Sequence, residues 1–495
     1  MGARSRAVVT VEDGALPLFL RIARSVADDV RRGRLRAGEP LPGSRTLADT
    51  LGVNRNTVVA AYRELVAEGW AIARSGGGTF VAEGMPEPRP RSFARLRPSS
   101  VARSPSFPLR GTTPAPLAPS PYQTPALFAM PGGVPDVRLV PGVLLARALR
   151  RVLTARDVSD SLRYGDPRGD AQLRAAIATV ARESQGVPAT ADEVIVVAGS
   201  QMALELAGRA VIPLGAAVAV EAIGYRPAWA AFARGGARVV PVAVDAQGLD
   251  VDALEELANK ESVGAVYLTP HHQYPTTVTL TPGRRVALLA LARRKRFAVI
   301  EDDYDHELHY EGRPILPLAS ADVHGSVVYV GTLSKILAPG LRLGYVVASA
   351  PVIERMAKDR FVLDRQGDHV MQRAAAELIE DGTVARHVRR VRRIYERRRD
   401  YLVSELDRVL GGRVTVKPPS GGLALWARVW LAASEVAVWE RRALEQGVSF
   451  AAGERFTWSG RPIPFARFGF GALNEREVRE AVRRLERTFP TLSAR

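Results

Sequence analysis

Residues 326–344 read SVVYVGTLSKILAPGLRLG. Ser326–Val330 is a short apolar run rich in β-branched residues and closed by Gly331, the pattern of a buried strand. Lys335 follows among small and apolar residues, whereas most charged side chains of this chain fall on helical surfaces. Farther on, Arg342 stands between Gly340-Leu341 and Leu343-Gly344. A charge in so apolar a setting needs a partner, and a phosphate would serve.

Ala298–Glu301 is a second apolar strand candidate, and it runs directly into Asp302-Asp303-Tyr304-Asp305. A carboxylate at the carboxyl edge of a parallel strand is well placed for a ligand crevice. Glu193–Val197, Ala217–Glu221, Ala237–Val242 and Val263–Thr269 are further strand candidates, with helices such as Gln201–Val211 and Pro282–Arg294 between them. This βα rhythm predicts a covered, mainly parallel sheet. After about residue 350 the rhythm changes. One long helical stretch over roughly 369–409 precedes short strands near 413–417, 422–428 and 464–470 and helices near 433–446 and 475–488, which predicts a smaller α+β lobe.

The whole chain has 495 residues, 46% of them apolar, so two or three domains with a sizeable core are expected. Its formal charge is +17, with five lysines against 64 arginines. A high-GC coding bias is one reading of the arginine preference; the excess charge itself favours a polyanionic partner. There is no cysteine, which excludes disulfides and cysteine-held metals. No secretion signal and no run of about twenty apolar residues is present, so a soluble cytoplasmic chain is expected, nucleoid-associated when bound to DNA. Residues 83–122 hold ten prolines, six arginines and two acidic residues, the composition of a stiff extended linker. Its arginines are open to two readings, plain spacer or DNA-phosphate contact. The expected organisation is a head over 10–82, the linker over 83–122, a large domain over 123–349 and a small lobe over 350–495.

Within the head, Pro17 suits the first turn of a helix running to about Arg32, with Ile22, Val26 and Val30 on one face. Ser44 is placed to cap a second short helix, Arg45–Thr50, and Leu51-Gly52-Val53 makes a tight turn. Asn54 is placed to cap a third helix through about Ala67. Two short helices joined by such a turn form a helix-turn-helix, whose second helix enters the major groove. Arg55, Asn56 and Thr57 stand at its start, the residue types that read guanine, adenine and the thymine methyl. Arg45, on the preceding helix, is placed to hold a phosphate. Trp70–Arg74 and Thr79–Val81 flank Gly76-Gly77-Gly78, which predicts a two-stranded wing. The stretch LPGSRTLADTLGVNRNTVVAAYRELVAEGWAIARSGGGTFV, residues 41–81, resembles the winged-helix domain of the GntR family. That resemblance implies double-stranded DNA as a partner.

The large domain offers the parts that pyridoxal 5'-phosphate (PLP) requires. Lys335 is a candidate to form an imine with the aldehyde. Asp302 is a candidate to hold the pyridine nitrogen protonated. The Tyr304 hydroxyl can meet the ring oxygen. Gly199-Ser200-Gln201 opens a helix, a natural phosphate seat beside Arg342. The ordered set resembles the fold-type I aminotransferases. Its anchors are Tyr164-Gly165-Asp166-Pro167-Arg168-Gly169, Gly199-Ser200-Gln201, Tyr225, residues 269–276 (TPHHQYPT), Glu301-Asp302-Asp303-Tyr304, Ser334-Lys335 and residues 339–344 (PGLRLG). By that resemblance Lys335 and Asp302 keep the roles just given, and Tyr225 stacks on the ring. Ser200, Gln201, Thr332 and Arg342 surround the phosphate, and Tyr164 reaches the partner subunit's phosphate. Arg467 grips the substrate carboxylate.

Two positions depart from the pattern: Thr277 replaces the usual glycine of a Pro-Thr-Gly turn and is expected to reshape it. Tyr274 replaces a common asparagine near the ring oxygen. His271 and His272 are open to a role there or to a supporting or surface role. The seven histidines show no carboxylate–histidine spacing that marks a metal site.

A GntR-like head joined to an aminotransferase-like body resembles the MocR subfamily of bacterial regulators. The resemblance implies a head-to-tail homodimer and regulation by PLP or by a small amino compound. Two other readings stay open: an active PLP-dependent aminotransferase with a vestigial DNA-binding head, and a scaffold that uses PLP only for stability.

Overall fold

The computed structural model describes residues 16–74, 77–84, 126–130, 132–312 and 315–490. They fall into two compact units, residues 16–84 in the first and 126–490 in the second. The linker expected over 83–122 lies outside the described residues except for Glu83 and Gly84, as do residues 10–15 of the head.

The first unit has three helices, α1 (Leu18–Arg31), α2 (Ser44–Leu51) and α3 (Arg55–Ala67), followed by an antiparallel hairpin, β1 (Ala71–Arg74) and β2 (Gly78–Val81). Ile22 and Val26 of α1, Leu47 of α2 and Val58, Ala61 and Leu65 of α3 close one core. The tight turn forms as expected: α2 ends on Gly52 at φ 65°, a left-handed conformation that glycine adopts without a Cβ clash. Asn54 caps α3, its side chain accepting from the Asn56 amide at 2.8 Å. Two sequence expectations shift by one residue. Pro17 precedes α1 instead of lying in its first turn. Gly43, not Ser44, is the residue before α2, so the Ser44 hydroxyl caps nothing and instead accepts from Arg55 Nε at 3.3 Å. The Tyr62 hydroxyl donates to the Pro42 carbonyl at 2.6 Å and holds this approach against α3.

The second unit is built on a seven-stranded sheet. Its strands are β3 (Val194–Val197), β4 (Ala217–Glu221), β5 (Arg238–Val242), β6 (Val263–Leu268), β7 (Ala298–Asp303), β8 (Val327–Thr332) and β9 (Gly344–Val347). The order is β3-β9-β8-β7-β6-β4-β5. All run parallel except β9, which pairs antiparallel with both β8 and β3. Within this sheet β9 is the strand that the sequence reading missed, because its four residues follow closely on the Arg342 segment. Val194–Val197, Ala217–Glu221 and Val327–Thr332 are buried at every position, as strands covered on both faces must be. Helices α4 (Ser200–Val211), α5 (Arg226–Arg234) and α6 (Ala350–Leu363) bury one face through Leu204, Phe232 and Ile353.

A second sheet, all antiparallel, holds β10 (Val414–Val416), β11 (Ala424–Val429), β12 (Ala451–Ala452) and β13 (Phe465–Gly469) in the order β10-β11-β13-β12. The helical stretch expected over 369–409 is two helices, α7 (His369–Glu380) and α8 (Thr383–Leu410). Gly382 separates them at φ 74°, a value that ends one helix before the next begins. Helices α9 (Ala433–Glu445) and α10 (Glu475–Thr488) complete the packing around Trp439, whose indole N–H donates to the Leu485 carbonyl at 3.0 Å.

The topology decides where a site can form. Loops after β3, β4, β6, β7 and β8 all leave the same edge of the sheet, the edge where open α/β sheets take ligands. Gly344, at the start of β9, lies against the loop after β3. A Cβ there would meet the Gly199 carbonyl carbon at 2.8 Å and the Ser200 nitrogen at 3.1 Å, both backbone atoms with little room to move. Gly344→Ala is therefore expected to cost about 1–3 kcal/mol by overpacking. Gly340→Ala, where a Cβ meets nothing within 4 Å, is expected to stay within about 0.5 kcal/mol of wild type. Denaturant melts of both variants check this; equal stability of the two would refute the steric argument.

Candidate functional site

Asp302 is placed at the carboxyl end of β7, flanked by β6 and β8. It is 5% exposed. One carboxylate oxygen accepts from the Tyr267 hydroxyl at 2.9 Å, and the other has no partner among the described residues. Burial pushes its pKa up to about 7, against the smaller pull of Tyr267 and Lys335. The neighbouring acids point to the opposite face of the strand. Glu301 accepts from the Leu318 and Ala319 amides at 2.7 and 3.0 Å. Asp303 pairs with His306 Nδ1 at 3.0 Å and with the Tyr329 hydroxyl at 3.2 Å.

Lys335 follows β8 and is half-buried. Its amine donates to the Gly133 carbonyl at 2.6 Å. Burial pushes its pKa below the usual lysine value, opposed by Asp305 and Asp302. A buried carboxylate with a free oxygen near an amine of lowered pKa is the pair that PLP needs.

The next group gathers at the start of α4. Gly199 takes φ 84° before Ser200, the first residue of that helix. A Cβ on Gly199 would lie 2.9 Å from Arg342 Nη2, so the guanidinium lies across the helix start. Arg342 itself adopts φ 54° and donates to the Ala198 carbonyl at 2.6 Å. Thr332 is buried, its hydroxyl accepting from the Ser334 amide at 3.1 Å. The Gln201 side chain donates to the Pro227 carbonyl at 3.0 Å. Free helix N–H groups beside an arginine make an anion seat.

A wall of aromatics closes another side. Tyr225 meets Tyr274 edge-on at 5.4 Å between centroids, and Tyr274 meets Phe456 at 5.5 Å and Tyr304 at 6.2 Å. The Tyr225 hydroxyl is pushed well up by burial and feels both Asp302 and Arg342. The Tyr304 hydroxyl donates to the His272 carbonyl at 2.9 Å. Arg467, on β13, is 1% exposed and lies 4.4 Å from the Tyr274 ring centre. It donates to the Pro275 carbonyl at 2.6 Å, yet its Nε has no partner and no carboxylate pairs with it among the described residues. Gly132 makes room for it, since a Cβ there would lie 2.7 Å from that Nε. The sequence reading did not single out Gly132 or Gly133; only the fold brings them to Arg467 and Lys335.

Tyr164 stands apart. It is 78% exposed, with the Arg365 guanidinium 4.1 Å over its ring. At the turn Thr277 takes φ 63°, a left-handed conformation open to glycine, and its amide donates to the Gln273 carbonyl at 2.7 Å. The closed turn imposes the left-handed conformation on a β-branched residue that disfavours it. His271 and His272 are both buried rather than on the surface. Burial pushes His271 down to about 4. For His306 burial pulls downward, but the charge and hydrogen bond of Asp303 together with the Glu307 and Glu301 charges lift it to about 9. In the head, Arg45, Arg55 and Asn56 are exposed and Thr57 half-buried. Among the described residues no helix is long and apolar enough to cross a membrane.

Two families match the chain in tandem. Residues 18–81 match the bacterial regulatory proteins of the gntR family, and residues 138–485 match aminotransferase class I and II. The chain is 31% identical over 493 residues to the probable rhizopine catabolism regulatory protein MocR of Rhizobium meliloti, covering 98% of this chain and 97% of that one. It is 30% identical over 394 residues to the pyridoxine biosynthesis transcriptional regulator PdxR of Corynebacterium glutamicum, covering 80% and 79%. Among solved structures, the alpha-aminoadipate aminotransferase of Thermus thermophilus, complexed with N-(5'-phosphopyridoxyl)-L-leucine, superposes with a TM-score of 0.68 at 30% identity, covering 75% of this chain and 95% of that one. With both modules matched in one order and a regulator similar along nearly its entire length, the chain belongs to the MocR subfamily of GntR-family transcriptional regulators, which fuse a winged helix-turn-helix to a fold-type I aminotransferase-like domain.

Proposed function

We propose that this regulator binds PLP in the crevice above β7 and β8 and couples the state of that site to DNA binding by its head. One observation carries the reading: a buried carboxylate, Asp302, keeps a free oxygen near the Lys335 amine. Leaving a buried polar atom unpaired costs about 1–3 kcal/mol, so such an atom calls for a ligand. The residues fit this group. When bound, PLP supplies an aldehyde to the amine and a ring able to withdraw electrons.

This chain's residues would do the rest. Asp302 holds a proton at the ring nitrogen. Lowering of the Lys335 pKa leaves more of the amine uncharged and nucleophilic. Tyr225 covers the ring, Tyr304 addresses its oxygen, and Ser200, Thr332 and Arg342 take the phosphate. Gln201 borders that seat and holds the helix start to the Pro227 carbonyl. Arg467 takes the acid group of an amino compound. In a head-to-tail homodimer, exposed Tyr164 would reach the partner's site. The likeness to a pyridoxine biosynthesis regulator supports PLP as signal; the placement of Arg467 supports an amino acid. For either to regulate, ligand affinity must differ between two protein states.

PLP added to the purified apo-protein is expected to give a visible absorption band. Borohydride should then fix the added mass on the Lys335 peptide. Lys335→Ala should lose both, and a colourless wild type would overturn the cofactor assignment. Mobility shifts on the protein's own upstream DNA should differ between the apo, PLP-loaded and amine-treated forms. Steady turnover of an amino donor with a keto acid, and no specific duplex binding, would favour the aminotransferase reading instead. A cofactor that raises the melting temperature without changing DNA affinity would favour the scaffold.

Arg467→Ala should retain colour with PLP but lose the response to the amino compound. Unchanged amine sensitivity would remove Arg467 from that role. In the head, Arg55→Ala and Asn56→Ala should each cost about 1–3 kcal/mol on the preferred site. Arg45→Ala should weaken all sequences alike and flatten the salt dependence. Equal losses on specific and random duplex for Arg55→Ala would refute its base-reading role.

A further inference from the structure

Four of the chain's seven histidines, His271, His272, His306 and His309, are buried together. They come from two loops of the crevice edge, the first two from the loop after β6 and the others from the loop after β7. The His271 ring centre lies 4.5 Å from that of His272 and 5.8 Å from that of His309, and His272 and His309 are 6.1 Å apart. One ring nitrogen from each of these three lies within 4.8 Å of the others.

The nitrogens have little else to do. Both nitrogens of His271, both of His309 and Nε2 of His272 lack hydrogen-bond partners among the described residues. Buried polar atoms are normally paired, so five unpaired nitrogens in one cluster call for an explanation. The fourth histidine is already committed, since His306 is ion-paired with Asp303 at 3.0 Å. The other nitrogen of His272, Nδ1, is 2.9 Å from Asp305 Oδ1. A carboxylate on the far nitrogen fixes the tautomer and turns the remaining lone pair outward, the arrangement around metal-ligating histidines.

We propose that His271, His272 and His309 form a site for a divalent transition-metal ion of the zinc class, with Asp305 as the residue that positions His272. Three imidazoles select zinc, cobalt, nickel or copper over magnesium or calcium, which prefer oxygen. Nitrogens held about 2.0–2.1 Å from a tetrahedral ion sit about 3.4 Å apart, so modest ring rotations close the set. The ion would tie the loop after β6 to the loop after β7. Both loops border the crevice: Tyr304 donates to the His272 carbonyl, and Asp305 acts on Lys335 by its charge. The site therefore braces two walls of the crevice without using any residue assigned to the cofactor phosphate.

Equilibrium dialysis of tag-free, full-length protein against zinc tests this, with and without PLP. The wild type is expected to take up about one equivalent per chain and to melt at a higher temperature with zinc. His309→Phe should bind zinc at least about 100-fold more weakly, and Asp305→Asn about 10- to 100-fold more weakly. His309→Phe should still develop the visible band with PLP. Uptake well below one equivalent, or wild-type affinity in His309→Phe, would overturn the proposal. Should that variant not fold, X-ray absorption on the wild-type zinc complex decides: three imidazole nitrogens support the site, and a shell of oxygens alone refutes it.

Discussion

Asp302 sits where a parallel strand ends between two neighbours, and only 5% of it is exposed. Taking an unpaired carboxylate out of water costs several kcal/mol after relaxation. The strand copes by alternation. Glu301 and Asp303 turn to one face, where two backbone amides hold Glu301 and where His306 and Tyr329 both meet the same oxygen of Asp303. Asp302 turns to the other face, where Tyr267 satisfies one oxygen only. The period of two in a strand thus sets Asp302 on the face opposite its two acidic neighbours.

That arrangement was legible in the sequence wherever a residue's role depends on its own strand. Apolar runs ending in Gly or Asp placed the carboxyl edge, and with it Asp302, Lys335 and the start of the helix at Ser200. What depends on contacts between distant segments was not legible. Nothing in the sequence brings Gly132 to Arg467 or Gly133 to Lys335, because those pairs are set by where the segment at residues 132–133 passes in the folded unit. The histidines fail for the same reason. Their spacing along the chain carries no ligand pattern, yet two loops leaving neighbouring strands bring them together. Thr277 shows the converse, since its own preference is overruled by the turn that closes around it.

Helix boundaries escaped the sequence for a more local reason. Ser44 has the right chemistry for a cap, but the chain enters α2 one residue earlier, and the hydroxyl becomes available to Arg55. The break at Gly382 was hidden because α7 and α8 continue with a similar pattern on either side. A single left-handed glycine redirects the chain there without changing composition.

The way cations are held is common to both units. Many arginines here are neutralised by carboxylates: Arg398 by Asp136 at 2.9 Å, Arg168 by Asp166 at 2.7 Å, Arg284 by Asp245 at 2.6 Å. The cations singled out for ligands are held differently. Lys335 donates to the Gly133 carbonyl, Arg342 to Ala198 and Arg467 to Pro275, each at 2.6 Å, while Arg55 leans on the Ser44 hydroxyl at 3.3 Å. A neutral oxygen keeps such a side chain in position but leaves its charge uncompensated. An ionised acceptor adds Coulomb attraction to a bond whose donor is already charged. Exchanging the neutral oxygen for a phosphate or carboxylate is therefore favourable, whereas a cation already paired with an acid would gain little. The same reasoning supports the roles proposed for Arg55 at DNA and for Arg467 with an acid group.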